Sequence, residues 1–157
     1  MTSILTVESL KDFPRKHAKG KKVVLVGGCF DVLHPGHVIF LEKAKRAGDL
    51  LVVILESDQM VKKLKGEGRP VHTQKDRALI LSSVRFVDFI VMLPFLKFEN
   101  QYDQVVSLIK PDIIATTKGV SSPHHQRSAK LAGAKLKYVT KLVGNHSSSR
   151  ILNLKRG

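Results

Sequence analysis

The stretch GGCFDVLHPGHVIFLEKAKRAGD, from Gly27 to Asp49, is the most informative part of the chain, because it marks a passage from a buried strand into a helix. It follows the apolar run VVLV at residues 23–26. Pro35 suits the first position of a helix, and Gly48 suits its end. Two histidines, His34 and His37, lie at the start of that helix. We therefore predict a strand, a glycine-rich turn and a helix, with both imidazoles beside the turn.

Apolar runs of strand length recur along the chain and are nearly continuous, as expected of strands that are covered on both faces in a parallel sheet. They are VVLV (23–26), LLVVIL (50–55), VDFIVML (87–93), DIIAT (112–116) and LKYVT (136–140). Helix-like segments separate them: Thr73 with Asp76 resembles a capping box, and Ser122 with Pro123 suits a helix start. These features predict an α/β fold, a three-layer domain with a mostly parallel sheet of about five strands. We expect the domain to cover residues 21–157, after an N-terminal arm or short helix at residues 1–20.

The composition indicates a globular protein whose partners carry negative charge. The chain has 157 residues, and its 27 Lys and Arg against 13 Asp and Glu give a formal net charge of +14. Nucleic acid, a nucleoside triphosphate and a sugar phosphate all fit this charge. The absence of Trp and the presence of only two Tyr leave few platforms for stacking bases, so specific nucleic-acid binding is not expected.

The same sequence predicts a cytoplasmic protein with no membrane association. No apolar run approaches the roughly 20 residues that a membrane span needs, and the first residues lack the apolar core of a signal peptide. The single cysteine, Cys29, excludes an intrachain disulfide and a zinc site made of thiolates.

Three interpretations compete for His34 and His37, which are three residues apart. As metal ligands they would need partners such as His124 and His125 or distant carboxylates, so no metal site is predicted. As ordinary structural caps they would have no special role. As phosphate ligands they would act beside the free N–H groups of a helix N-terminus, at the carboxyl end of a strand where ligands of α/β proteins bind. The glycines, the turn, the proline and the helix start all favour this third interpretation.

Three blocks of the sequence resemble the cytidylyltransferase-like nucleotidyltransferase superfamily. GCFDVLHPGH is similar to its H-x-G-H signature, LKGEGRPVHTQKDRALILSSVRFVDFIV to its second block, and HSSSRIL to its closing block of serine and threonine at a helix N-terminus. Within the superfamily the chain looks most like the adenylyltransferase domain of ADP-heptose synthases, with archaeal FAD synthases and glycerol-3-phosphate cytidylyltransferases as neighbours. The resemblance implies a Rossmann-like nucleotidyltransferase fold.

The resemblance also implies the reaction and the residues that carry it. The reaction would transfer AMP from ATP, or CMP from CTP, to a phosphorylated acceptor such as a sugar phosphate and release pyrophosphate, with Mg²⁺ accompanying the triphosphate. His34 and His37 would stabilise charge on the phosphates, and Lys65 and Arg77 would contact the triphosphate or the acceptor phosphate. The implied nucleotide-binding residues are Gly28, Cys29, Phe30, Asp31, Gly36, Thr117, Lys118, Gly119, Ser147, Ser148 and Ser149. A homodimer is expected from the family and from the prevalence of two-fold symmetry.

The chain departs from the family pattern in two places. No carboxylate closely follows Gly119, where the family often has an acidic residue that contacts the nucleotide. Leu142 and Val143 stand where cytidylyltransferases tend to have an Arg-Thr pair that fixes cytosine, although Gly144 is kept. An apolar pair suits the larger face of adenine, so ATP is predicted to be preferred over CTP. The alternative from another class is a basic protein that binds nucleic acid nonspecifically, with an affinity that falls steeply with salt.

Overall fold

A computed structural model of the chain describes residues 1–120, 123–141 and 147–153. A single sheet of six parallel strands runs through it, in the order β1-β4-β3-β2-β5-β6. The strands are β1 (Ser3–Thr6), β2 (Val23–Gly28), β3 (Leu50–Leu55), β4 (Phe89–Met92), β5 (Ile113–Lys118) and β6 (Lys135–Lys141). The helices are α1 (Pro35–Lys45), α2 (Asp58–Lys65), α3 (Gln74–Ser82), α4 (Glu99–Ile109), α5 (Pro123–Ala132) and α6 (Ser148–Asn153).

Helices cover both faces of this sheet, because alternate residues of the central strands point to opposite sides. Leu25 and Ile54 pack in one apolar cluster, with residues of α4 and α5. Val24 and Leu55 pack in the other, with residues of α1 and α3. The three-layer α/β architecture predicted from the continuous apolar runs is confirmed.

The chain reverses its direction of travel across the sheet between β2 and β5. β2, β3 and β4 follow one another toward one edge, whereas β5 returns to pair with β2 and β6 continues toward the other edge. The crossovers leave on opposite faces at such a point, and a crevice opens beyond the carboxyl ends of the two strands. The turn after β2, which carries the two histidines, lies at this crevice.

Residues 1–20 differ from the expected arm or short helix. β1 pairs in parallel with β4, from Ser3 beside Phe89 to Thr6 beside Met92, and thereby adds a sixth strand. A 3₁₀ helix (Val7–Asp12) and a π-helical turn (Pro14–Ala18) follow, and Leu10 and Phe13 enter the core. The N-terminal segment is therefore part of the sheet and its packing.

The predicted helix starts are confirmed where the structure describes them, whereas α1 ends at Lys45, three residues before the Gly48 that was expected to end it. Gly48 instead lies where a Cβ atom would come within 2.8 Å of the Lys22 carbonyl oxygen. Pro35 is the first residue of α1, and the Thr73 hydroxyl accepts a hydrogen bond from the backbone N–H of Asp76. Ser122, the predicted cap of α5, lies outside the described residues. None of the helices in the described ranges has both the length and the apolar character to cross a membrane.

Candidate active site

The two histidines are stacked on each other at the start of α1. His34 is the N-cap residue, with an extended backbone, and His37 lies in the first turn. Their ring centroids are 3.8 Å apart and the rings are inclined by 24°. Since the first turn of a helix has unpaired N–H groups and a partial positive charge, both imidazoles stand beside an anion-binding position.

His37 is held in the neutral form. Burial, followed by the nearby His34 and Lys65, lowers the pKa of His37 from 6.5 to about 4. Its Nδ1 atom is buried and has no hydrogen-bond partner among the described residues. A buried polar atom of this kind is costly unless a ligand completes it. His37 is therefore prepared to make a hydrogen bond to an incoming group such as a phosphate oxygen.

The turn between β2 and α1 is tightly determined by Gly28 and Phe30. Phe30 has a φ of +44°, a strained conformation for a residue with a side chain, and its ring is buried against the ring of His37 at 5.1 Å between centroids. A Cβ atom on Gly28 would lie 2.9 Å from Cε2 of Phe30. Only glycine therefore fits at position 28 without displacing the Phe30 ring.

Cys29, in the same turn, is not an activated nucleophile. Burial raises the pKa of the Cys29 thiol, although the charge of Lys65 opposes that effect. Because the thiolate is the reactive form of cysteine, a raised pKa leaves this side chain inert at neutral pH.

A cavity of about 520 Å³ opens at the crevice between β2 and β5. Its size is in the range of small-molecule binding sites. The basic side chains on its wall are His34, His37, Lys65, His125 and Lys141, and no carboxylate from the described part of the chain lines it. Such a wall favours a ligand with several negative charges.

The cavity brings together most of the residues that the sequence predicted for the site. Those that line it are Gly28, Cys29, Phe30, His34, Gly36, His37, Lys65, Thr117, Ser147 and Ser148. Asp31, Arg77, Lys118, Gly119 and Ser149 do not line it. The wall is completed on the side of β6 and α5 by His125, which the sequence offered as a residue that could face the acceptor, and by Thr140 and Lys141, which it did not assign to the site.

Arg77 was expected to contact phosphate, and its position in the structure differs from that expectation. Its side chain is fully buried, and the guanidinium donates to the carbonyl oxygens of His72, Cys29 and Glu56 and to the Asp58 carboxylate, at 2.6–3.1 Å. These bonds use most of its donors. Arg77 therefore joins the carboxyl ends of β2 and β3 from beneath the site and does not face the cavity.

Asp31 was expected to contact the nucleotide but is committed to protein partners. Its buried carboxylate accepts hydrogen bonds from the backbone N–H groups of Val71 and His72 and from Nε of Arg69 at 2.6 Å. Burial alone would raise the pKa of Asp31, but these hydrogen bonds and the Arg69 charge more than offset it, and the pKa lies below its ordinary value. Asp31 therefore fixes the loop that precedes α3 to the turn after β2.

Arg69 is a site residue that the sequence analysis missed. Besides Asp31, its guanidinium reaches the hydroxyls of Ser148, at 2.9 Å, and Ser149, at 3.4 Å. It thus connects the turn after β2 with the start of α6. Arg69 belongs to the block LKGEGRP, but this segment contains several charged residues, and the sequence alone does not show which of them is buried against the site.

The end of β5, where Thr117 was predicted to contact the nucleotide, is joined to β6 by a hydrogen bond of 2.6 Å between the Thr117 and Thr140 hydroxyls.

The positions used to predict the preferred base, Leu142 to Gly144, lie outside the described residues. Within the described ranges no group of three or more His, Cys, Asp or Glu side chains is arranged to hold a metal ion.

A parallel sheet with a basic cavity at its reversal point and stacked histidines at a helix N-terminus defines a nucleotide-binding α/β protein. The chain belongs to the cytidylyltransferase-like family, whose model matches residues 25–151. This match confirms the superfamily, and with it the nucleotidyltransferase class, that the three sequence blocks predicted.

Known proteins of this kind include the bifunctional protein HldE of several bacteria. The chain is 39% identical to HldE of Campylobacter fetus over 154 residues, which cover 95% of this chain and 31% of that protein. It is 42% identical to HldE of Nitratiruptor over 116 residues, 69% of this chain and 24% of that protein. The matched part of the chain thus spans less than a third of the length of these curated relatives.

Solved structures agree with the fold. A lipopolysaccharide core biosynthesis protein from Thermoplasma volcanium matches with a TM-score of 0.63 and 26% identity, over 81% of this chain and all of that one. A pantoate-beta-alanine ligase from Francisella tularensis matches with a TM-score of 0.61 at 14% identity, over 99% of this chain and 77% of that one, and shows a likeness of fold alone.

Proposed function

We propose that the protein transfers AMP from ATP to a phosphorylated acceptor and releases pyrophosphate. The observation that carries this proposal is the stacked pair His34 and His37, at a helix N-terminus that faces a basic cavity in a member of the cytidylyltransferase-like family. The acceptor we propose is a sugar phosphate. The resemblance to ADP-heptose synthase domains supports it, as does the similarity to a lipopolysaccharide core biosynthesis protein.

The chemistry requires positioning and charge stabilisation more than a protein nucleophile. An oxygen of the acceptor phosphate attacks the α-phosphorus in line, a new P–O bond forms, and the bond to the pyrophosphate oxygen breaks. His34, His37 and Lys65 would stabilise the charge that develops on the phosphates. The backbone N–H groups around Cys29 and Phe30 would hold the α-phosphate. The inert Cys29 thiol is consistent with this mechanism.

The start of α6 would bind the β- and γ-phosphates of ATP. Ser147 and Ser148 line the cavity, and Arg69 holds the Ser148 hydroxyl from behind. The substrate would be ATP with its Mg²⁺ ion, which phosphate oxygens and water would coordinate. Because no described carboxylate lines the cavity, the Mg²⁺ ion would be bound by the triphosphate and water and not by protein side chains.

For the base, we propose ATP over CTP because the Arg-Thr pair of cytidylyltransferases is replaced by Leu142 and Val143. Titration of each nucleotide with Mg²⁺ by calorimetry tests this preference. Clearly tighter binding of CTP would turn the proposal into a cytidylyltransferase.

For the whole molecule, we propose a cytoplasmic homodimer whose nucleotidyltransferase domain lies in residues 21–157, with residues 1–20 extending its sheet. ATP and sugar phosphates are substrates of the cytoplasm, and two-fold symmetry is the commonest form of assembly. Light scattering tests the assembly, and a monomer at working concentration would contradict it.

A screen for pyrophosphate release tests the reaction itself. ATP and CTP are each combined with sugar phosphates, FMN, phosphopantetheine and glycerol phosphate, and we expect release with ATP and a sugar phosphate. The competing class is nonspecific nucleic-acid binding by a basic protein. RNA binding that survives moderate salt with a sequence preference, together with no nucleotide binding, would overturn the enzyme proposal.

A further inference from the structure

A second polar cluster lies next to the phosphate site, on the face of the sheet that α4 and α5 cover. It consists of Glu56, which directly follows β3, Tyr102 on α4 and His124 in the first turn of α5. The Tyr102 hydroxyl donates to the Glu56 carboxylate, at 3.0 and 3.1 Å from its two oxygens. The ring of Tyr102 lies 6.3 Å from that of His124, and His124 lies 3.6 Å from Glu99.

The backbone of Glu56 is fixed at both ends. Its N–H donates to the carbonyl oxygen of Gly28 at 3.1 Å, and its own carbonyl oxygen accepts from Arg77 at 2.9 Å. Since Gly28 belongs to the strand that leads into the phosphate turn, the position of Glu56 is tied to that turn. Such support is what a recognition residue needs, because a binding group must be held in place before the ligand arrives.

The carboxylate of Glu56 retains capacity to accept hydrogen bonds. A carboxylate has about four lone-pair positions, and among the described residues Tyr102 is its single donor. The two neighbouring acids differ, because Asp31 and Asp58 each form an ion pair with an arginine, at 2.6 and 2.7 Å. No such pair is formed by Glu56 in the described part of the chain. Burial raises the pKa of Glu56, against the opposing effects of the Tyr102 hydrogen bond and the charges of Arg77 and His124.

The cluster borders the cavity at Cys29. Cys29 lines the cavity, and its thiol interacts electrostatically with Glu56 and with Tyr102. Glu56 itself lies behind Cys29 and does not line the cavity, whose wall is basic and suits phosphate. A carboxylate repels phosphate, so the part of a phosphorylated acceptor that meets Glu56 must be a hydrogen-bond donor, and on a sugar phosphate the donors are hydroxyl groups.

We propose that Glu56, held by Tyr102, binds hydroxyl groups of a sugar phosphate acceptor and so selects a polyhydroxylated acceptor over one with few hydroxyls. This inference rests on the proposed function, because it assigns the acceptor side of the same reaction. His124 closes the cluster on the side of α5.

The experiment compares three variants with the wild-type protein. Glu56→Gln keeps the size of the side chain and removes its charge, Tyr102→Phe removes the supporting hydroxyl, and Glu42→Gln is the matched control. Glu42 lies on α1 and pairs with Arg46 on the surface. Pyrophosphate release is measured with ATP and hexose and heptose 1-phosphates, their deoxy analogues, and glycerol 3-phosphate. Thermal unfolding confirms that each variant is folded.

For Glu56→Gln we expect the KM of the sugar phosphate to rise about tenfold, the scale for weakening a hydrogen bond to a charged group, while the KM of ATP stays unchanged. A deoxy analogue that lacks the bound hydroxyl should be a poorer substrate for the wild type, and that penalty should shrink in Glu56→Gln. Tyr102→Phe should raise the acceptor KM about threefold, because the Glu56 carboxylate loses the hydroxyl that holds it in place. Glu42→Gln should behave as the wild type.

The outcomes separate this inference from the proposed function. If the wild type releases pyrophosphate but folded Glu56→Gln keeps the acceptor KM and the full deoxy penalty, the inference is wrong and the function stands. If Glu56→Gln does not fold, an unchanged acceptor KM in Tyr102→Phe overturns the inference in the same way. If the wild type releases no pyrophosphate with any acceptor, the proposed function fails and the inference fails with it.

Discussion

Replacing His37 with Gln should make the protein less sensitive to acid. The pKa of His37 is about 4 in the folded protein and 6.5 without the effects of burial, His34 and Lys65. Between these values the unfolded chain binds a proton that the folded protein excludes, so stability that is present above pH 6.5 is lost as the pH falls toward 4. At about pH 5 the unfolded form gains roughly 2 kcal/mol from this one group, whereas near pH 7.5 it gains almost nothing.

The assay is urea unfolding at these two pH values, for the wild type, His37→Gln and the control His17→Gln, which removes an exposed histidine of the N-terminal segment. The free energy of unfolding of the wild type and of the control should fall by about 2 kcal/mol more than that of His37→Gln. Other groups titrate in all three proteins and cancel in the comparison. If the free energy of unfolding falls between pH 7.5 and pH 5 by the same amount in the wild type and in His37→Gln, within about 0.5 kcal/mol, the assignment of His37 as a buried neutral histidine is refuted.

Three further predictions concern the residues around the cavity. His34→Ala and His37→Ala should each lower turnover by about 10²-fold or more, the scale for one preorganised charge-stabilising group, and near-normal turnover in a folded variant would remove that histidine from the mechanism. Arg77→Met should cost at least about 3 kcal/mol in urea unfolding, because buried carbonyl oxygens lose their donor, against less than about 0.5 kcal/mol for the exposed Arg46→Met. Arg69→Lys should weaken ATP binding about tenfold by calorimetry, because an ammonium cannot reach Asp31 and the α6 serines together, and unchanged binding would contradict that role.

Much of the central fold could be predicted because its signals are local. The strands are covered on both faces, so their apolar runs are continuous, and β3 has the predicted bounds. The start of α1 was visible because proline and the cap position restrict the backbone directly. The histidines could be predicted for the same reason, because the turn that carries them is formed by consecutive residues of the sequence.

β1 could not be predicted, because a short edge strand has no buried face to impose a pattern. Three of its four residues are exposed, and its pairing partner lies more than eighty residues away along the chain. Parallel pairing at that distance depends on the position of β4, which no local sequence signal describes.

The roles of the charged residues were harder to predict than their presence. The order of the motifs predicts Asp31, Lys65 and Arg77 near the site, and in the structure Lys65 lines the cavity while Asp31 and Arg77 lie behind it. Whether a side chain faces the ligand or the protein depends on partners from distant elements. Arg77 was assigned to phosphate because cations attract phosphate, but the convergent carbonyl oxygens beneath the turn are the acceptors that it meets.

Two arginines behind the cavity, Arg69 and Arg77, explain how its basic wall can be held in place by the protein alone. The cavity gathers positive groups that repel one another when no ligand is bound, and this repulsion opposes folding. Asp31 is buried behind the wall and pairs with Arg69, whereas the exposed Asp58 pairs with the buried Arg77; each arginine also binds groups from other elements. The positions of the phosphate turn and the α6 serines are therefore set by buried hydrogen bonds, independently of the ligand. A ligand that binds to such a preorganised wall loses less free energy to ordering the protein, and more of its interaction energy remains for stabilising the charge that develops during transfer.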